Sequence, residues 1–224
     1  MERLFQKFAP LCAMVMTPNG DSVDFLGTAF AVDAAGYLAT AAHVVKDRKQ
    51  VLVSPATDAG GYQVAAQKLR CIAASVVQLN ELNDIALLKF DEPIEMKLPP
   101  NLFGELDRVF PGAPIAHLGY PFGNTRNLVL AIRSGCLAAK LENVNGVRQL
   151  YVESVAYSGA AGGPLLDVAR GNIIGLINSQ LGLLPKSADD KGGFSVPLQT
   201  DLTIATPIQS VMQLLEKQKQ PSAG

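Results

Sequence analysis

Tyr157-Ser158-Gly159-Ala160-Ala161-Gly162-Gly163-Pro164-Leu165 packs three glycines and a proline into one short stretch. Read by itself it is an ordinary tight turn, which glycine favours because it carries no Cβ. A tight turn explains neither the proline after the glycine pair nor two earlier stretches of the chain. The first spans residues 27–45, Gly-Thr-Ala-Phe-Ala-Val-Asp-Ala-Ala-Gly-Tyr-Leu-Ala-Thr-Ala-Ala-His-Val-Val, and reads as strand, turn and strand ending at His43. The second is Asn83-Asp84-Ile85-Ala86-Leu87-Leu88-Lys89, in which a carboxylate opens an apolar strand. A solvated surface carboxylate is less expected there.

Taken together, these stretches resemble the chymotrypsin-like serine peptidases, whose glycine-rich segment runs Gly-x-Ser-Gly-Gly-Pro. The order His43, Asp84, position 161 is the order of that clan; subtilisins and α/β-hydrolases use others. Gly119-Tyr120-Pro121-Phe122-Gly123 and Gly171-Asn172-Ile173-Ile174-Gly175-Leu176-Ile177-Asn178 resemble its HtrA/Deg branch. The likeness runs from about residue 10 to 215 and leaves no room for the PDZ domain that typical HtrA proteins carry.

The resemblance implies a catalytic set. His43 is the expected general base, and imidazole suits the task because its unperturbed pKa, about 6.5, lies near neutrality. Asp84 is expected to hold that ring in its productive tautomer. Asp91 is the rival carboxylate, but Asp91-Glu92-Pro93 reads as an exposed turn. The backbone N–H groups of Gly159 and Ala161 are the expected oxyanion hole, glycine at 159 allowing the main chain to turn its N–H inward.

Position 161 departs from the pattern: alanine stands where the nucleophilic serine is expected. A methyl group cannot attack a carbonyl, so the chain as written is expected to be a serine endopeptidase in inactive form. Because His43, Asp84 and every glycine of the loop remain, a Ser→Ala change introduced into a working enzyme is the favoured reading. The alternative is a natural pseudopeptidase that binds extended peptides or a partner without turnover; a third is a regulatory subunit acting through another surface. Ser154 and Ser158 lie nearby, yet neither holds the nucleophile's place in the loop.

The same resemblance places Val155 and Ala156 in the primary specificity pocket. Val155 stands where an aspartate would select Arg or Lys, so an apolar floor for an aliphatic side chain is expected. Asn178, Ser179 and Gln180 are expected to pair with extended substrate backbone. Ala160 replaces the aspartate against which trypsin-like zymogens seat a new N-terminus, which disfavours that activation route. The stretch Leu181–Gly193 is long enough to take part in regulation, and an activating protein partner is a further expectation. No metal or cofactor is expected, and no pair of cysteines or histidine cluster has zinc spacing.

Size and composition agree. The chain has 224 residues and a net charge of −1, within the length one barrel or sandwich unit occupies and without the positive footprint of a nucleic-acid binder. No apolar stretch approaches the ~20 residues of a membrane span. The apolar run Phe8–Met16 is interrupted by Pro10 and lacks a cleavage site, so a strand is expected rather than a signal peptide. The three cysteines, Cys12, Cys71 and Cys136, are odd in number and widely spaced, which points to free thiols and a cytoplasmic location.

Short apolar runs with turn punctuation predict an all-β chain of two antiparallel β-barrels and a C-terminal helix. Strands are expected at Leu11–Met16, Phe25–Val32, Tyr37–Thr40, Val51–Val53, Ile85–Phe90, Ile115–Gly119, Leu128–Ile132, Gln149–Val152, Ile173–Asn178 and Leu202–Ala205. Turns are expected at Pro18–Gly20, Asp33–Gly36, Asp58–Gly61, Asn143–Gly146 and Gly192-Gly193. The proline-rich segment Asp91–Pro111 reads as the crossover, giving residues 1–105, residues 106–206 and a helix with its tail over 207–224. Ile208, Val211, Met212, Leu214 and Leu215 form one face of that helix. His117, within a strand pattern, is expected to have a core or interface role.

Overall fold

A computed structural model of the chain describes residues 1–56, 69–123, 128–183 and 198–220. The expected turns at Asp58–Gly61 and Gly192-Gly193, most of the expected regulatory stretch Leu181–Gly193 and the tail 221–224 lie outside them.

Among the described residues, twelve strands form two closed antiparallel barrels. β1 (Cys12–Asn19), β2 (Ser22–Asp33), β3 (Tyr37–Thr40), β4 (Gln50–Pro55), β5 (Ile72–Asn80) and β6 (Ile85–Phe90) close the first, in the order β1-β2-β3-β6-β5-β4. β7 (Pro114–Gly119), β8 (Ala131–Glu142), β9 (Arg148–Glu153), β10 (Pro164–Asp167), β11 (Asn172–Leu183) and β12 (Leu198–Pro207) close the second, in the order β10-β11-β12-β9-β8-β7. Closure pairs each strand with a neighbour on both sides over at least part of its length, which limits the exposed edge that is the usual hazard of an all-β chain. Two short helices complete the described fold, the expected C-terminal α2 (Ile208–Lys219) and an unexpected α1 (Glu2–Phe8).

The barrels meet across a buried interface. β2 is buried on both faces from Gly27 to Val32, because its inner side chains fill the first barrel while Thr28 and its neighbours face the second. Leu118, Tyr120, Leu166, Ile173 and Leu176 of the second barrel join the core of the first in one cluster; Ile115, Leu137, Leu150, Val152 and Ile177 fill a separate interior. The chain ends cross over. α2 follows the last strand of the second barrel, yet its buried stripe Ile208, Val211, Leu214 and Leu215 joins the first barrel's core, and Lys219 pairs with Asp33. α1 buries Leu4 and Phe8 in that core while Lys7 Nζ donates to Gly171 O of the second barrel at 2.6 Å.

His117 on β7 is 2 % exposed, and its Nε2 lies 3.1 Å from Ser154 Oγ. Burial, with the charge of Arg133 adding to it, pushes its pKa down to about 4. The unfolded chain therefore takes up a proton, as pH falls from about 6.5 to about 4, that the folded chain refuses. Stability is expected to fall by on the order of 3 kcal/mol across that window and then to stop falling on this account. Urea unfolding at pH 7 and at pH 4.5 checks it. His117→Gln, which keeps a partner for Ser154, is expected to remove most of the slope in that window.

Candidate active site

Asp84 closes the turn Glu81–Asp84 immediately before β6, its N–H donating to Glu81 O at 3.2 Å. Its φ is 51°, a left-handed conformation that aspartate tolerates better than most residues and that is uncommon outside turns and functional sites. The turn aims the carboxylate at His43, which sits in a single 3-10 turn, Ala42–Val44, at the end of β3. His43 Nδ1 lies 2.8 Å from Asp84 Oδ2 and 3.1 Å from Oδ1, and the His43 backbone N–H donates to Oδ1 at 3.0 Å. A carboxylate accepting at Nδ1 fixes the proton there and leaves Nε2 with a free lone pair. The His43 side chain is 49 % exposed and that of Asp84 28 %, so the imidazole has an open face and its anchor is shielded. Burial works to raise the Asp84 carboxyl. The bonds from the His43 ring and backbone, the charge of His43 and the Asn178 amide outweigh it and hold the carboxyl below its usual range.

The Asn178 side chain lies against Asp84. Its Nδ2 donates to Asp84 Oδ2 at 2.9 Å and to Asp84 O at 3.1 Å, while its Oδ1 accepts from Thr206 Oγ1 at 2.9 Å. Both ends of the amide are engaged and the residue is 4 % exposed, so the side chain faces Asp84 rather than an open cleft. Thr206 Oγ1 also reaches Asn83 O at 2.7 Å. A carboxylate of the first barrel is thus held from β11 and β12 of the second. Nothing local in the sequence marks Thr206 for this place.

The glycine-rich loop is pinned by the first barrel. Thr28 N–H donates to Ala161 O at 2.8 Å, Thr28 Oγ1 donates to Gly159 O at 2.8 Å and accepts from Tyr120 N–H at 3.1 Å, and Gly162 N–H donates to Ile177 O at 2.7 Å. Gly159 lies within a 3-10 turn, Ser158–Ala160, and Ala161 caps it. Gly162 has φ +86°, and a Cβ there would lie 2.0 Å from Thr28 O and 3.1 Å from Ala41 N. That contact sets the loop against the backbone just ahead of the His43 turn. Gly159 is needed for a different reason than the expected turning of its backbone. Its φ lies outside the left-handed region, and what excludes a side chain is Tyr120 O, 2.1 Å from the Cβ position.

The other expected residues fall as follows. Ala156 is buried, its N–H donating to Thr203 Oγ1 at 3.0 Å, and Val155 beside it is half-buried. Ser179 is exposed on β11, while the Gln180 amide is turned to Thr200 O. The β10 ladder on β11 ends at Leu176, so beyond Ile177 the strand pairs only with β12 among the described residues. Asp91 is away from His43, accepting from Ser75 Oγ at 2.7 Å and from Gln50 Nε2. Among the described residues no group of three or more His, Cys, Asp and Glu side chains is placed to hold a metal ion.

Two antiparallel barrels, with a histidine–carboxylate pair from one facing a glycine-rich loop of the other, define the chymotrypsin-like class of fold. The chain belongs to the trypsin-like peptidase domain family, whose model matches residues 27–176. It is 27% identical over 198 residues to a probable periplasmic serine endoprotease DegP-like of Pseudomonas fluorescens, covering 87% of this chain and 38% of the relative. It is 29% identical over 191 residues to a protein of the same description from Halomonas elongata, covering 83% and 35%. The chain thus spans little more than a third of these relatives' length. In fold it is similar to the HtrA-type protease AlgW solved with a tripeptide (TM-score 0.70, 23% identity, 96% of this chain and 62% of that one) and with a decapeptide (TM-score 0.71, 21%, 97% and 66%).

These relatives overturn the cytoplasmic expectation, since they are described as periplasmic and point to a periplasmic or secreted location. The expectation fails because unpaired cysteines do not require a reducing compartment. Cys12 is fully buried and burial pushes its thiol far up, out of thiolate chemistry.

Proposed function

We propose that this chain is the peptidase unit of a serine endopeptidase of HtrA/Deg type in which Ala161 replaces the nucleophilic serine. What supports the reading is a carboxylate-anchored imidazole of the first barrel, a glycine-rich loop of the second seated against the backbone just ahead of it, and a methyl group where the nucleophile belongs. With serine at 161, its Oγ attacks the scissile carbonyl while His43 Nε2 takes the hydroxyl proton. The Gly159 and residue-161 N–H groups receive the oxyanion. The tetrahedral adduct then collapses, the amine leaving with the proton from His43, and water releases the acyl group by the same route in reverse. Specificity lies with Val155 and Ala156, and the unpaired edge of β11 beyond Ile177 suits an extended substrate added as a strand. As written, the chain binds such segments without cutting them.

The test is Ala161→Ser beside the same chain carrying His43→Ala, each treated with a fluorophosphonate and an unfolded protein. Labelling and cleavage confined to the first are expected. A folded Ala161→Ser chain that neither labels nor cleaves transfers the reading to a natural pseudopeptidase, whose use of the cleft is peptide binding.

Asn178 acts in this scheme as a positioning residue. In the Ala161→Ser chain, Asn178→Leu is expected to lower kcat about 10–100-fold with KM little changed, because a misplaced His43–Asp84 pair penalises the chemical step rather than binding. Steady-state kinetics on one peptide decides it, and a rise in KM alone would return Asn178 to the substrate contact first expected of it.

A further inference from the structure

A groove of about 530 Å³ opens beside His43 and Asp84 and runs outward over the first barrel, away from the glycine-rich loop. Its floor is apolar, made by Ala42, Val45, Val76 and Leu79. Leu79 is 44 % exposed and Val76 half-buried, so these two supply the open apolar surface, with Ala42 and Val45 buried beneath. The groove has two ends of opposite character. Val76 N–H donates to Lys49 O at 2.9 Å, which fixes Lys49 alongside Val76 at the far end. From Val76, β5 carries the floor to Leu79, roughly 10 Å further at the usual rise per residue, and then to Glu81 and Asp84 at the catalytic end.

A turn of four consecutive charged residues, Lys46, Asp47, Arg48 and Lys49, lines the groove and leads from the His43 turn to Lys49 beside Val76. Three cations stand there against one carboxylate. Arg48 is held by its Nη1 donating to Lys46 O at 3.0 Å. Among the described residues none of the three cations enters an ion pair. At the catalytic end the charge is reversed, with Glu81 on the wall and Asp84 already engaged by His43 and Asn178. An apolar floor with cations at one end and carboxylates at the other suits a peptide segment: aliphatic groups along the floor, an acidic side chain at the far end and none beside the imidazole. A small free anion would make no use of the floor.

We infer that this groove is a second, charge-reading element of the substrate site, docking an acidic stretch of the polypeptide a few residues from the bond in the cleft. The inference rests on the reading that extended peptides enter that cleft. It adds a selectivity to which neither Val155 nor the β11 edge contributes.

The test needs no turnover and uses the chain with Ala161. Two fluorescein-labelled dodecapeptides, identical and valine-rich except that one carries a Glu-Glu pair where the other carries Lys-Lys, are titrated by anisotropy. At about 20 mM salt, where screening is weak, the Glu peptide is expected to bind about tenfold tighter, and most of that preference is expected to vanish at about 300 mM. The double variant K46E/K49E alters two exposed side chains. It is expected to melt like the parent and to prefer the Lys peptide. Equal binding of both peptides, binding of neither, or a preference that survives the charge reversal would overturn the inference. Cleavage by the Ala161→Ser chain is scored separately. Charge-dependent binding without cleavage removes the peptidase reading and leaves the groove, whereas cleavage without charge preference does the opposite.

Discussion

Restoring serine at position 161 is expected to raise hydrolysis of an unfolded protein by about 10⁶-fold over the chain with alanine, the scale on which serine peptidases lose kcat when the nucleophile is removed. The expectation is this large because the rest of the arrangement is standing. His43 is fixed at its ring and its backbone by one carboxylate, and the loop is fixed on both sides of position 161 by Thr28 and Ile177. Serine adds one oxygen to a Cβ already in place, so no loop has to be rebuilt. What alanine leaves is the catalysis from bound substrate and the two N–H donors, about 10³–10⁴ over water. His43→Ala added to the serine chain is expected to fall to nearly the same floor, because the two side chains act as a unit and their losses do not add. A revertant gaining less than about 100-fold, with its melting unchanged, would mean that the donors or the imidazole are not aligned on a common carbonyl.

The second large effect is that of Asp84→Asn in the Ala161→Ser chain, a loss of about 10⁴ in kcat. The volume barely changes, so packing is not the cause. The introduced amide can place an N–H where the carboxylate oxygen was, which turns the imidazole to the tautomer with its proton on Nε2 and removes the acceptor for the serine proton. It also sets a donor opposite the Nδ2 of Asn178, 2.9 Å from the present oxygen, so that neighbour keeps only the backbone carbonyl of residue 84 as acceptor. The direction of the Asp84 shift adds a pH corollary. Its pKa is held below the usual carboxylate range, so the carboxylate is ionised throughout the neutral range and into mild acid. Protonation of Asp84 is therefore not expected to limit the activity of the serine chain between pH 7 and pH 5, which a pH–kcat profile checks. A kcat within tenfold of the parent in the Asp84→Asn variant, with the fold intact, would remove the carboxylate from the mechanism.

The residues proposed for catalysis are legible in the sequence because each lies in a local pattern of chain-adjacent residues whose spacing does not depend on the loops between. The two-barrel architecture is legible for a related reason, since turn residues punctuate most of its strands. Three strands are not. β5 carries Ala73, Ala74, Ser75 and Gln78 and is half-buried along most of its length, so neither alternation nor a solid apolar run announces it. β10 is four residues long and opens on Pro164, which reads as a turn. β8, expected at Leu128–Ile132, runs instead over Ala131–Glu142, where Arg133, Ser134 and Lys140 dilute the pattern that the preceding leucines and isoleucine suggest. Tertiary partners are beyond local reading altogether. Asn178 lies 94 residues from Asp84, and neither strand's own pattern shows that they meet. Thr28 reads as a strand residue and proves to hold the glycine-rich loop. Cysteine count misreads the compartment because a thiol's fate depends on burial, which counting does not report.

The crossing of the chain ends bears on what happens if the polypeptide is cut in the segment between the barrels. Each fragment would then carry a helix that grips the other: α1 from the first reaching Gly171, α2 from the second seated in the first barrel's core. The carboxylate would leave with one piece, and the amide and hydroxyl that hold it with the other. Two halves expressed separately are therefore suited to find each other and rebuild the site without a covalent link, as a split enzyme whose signal reports their meeting.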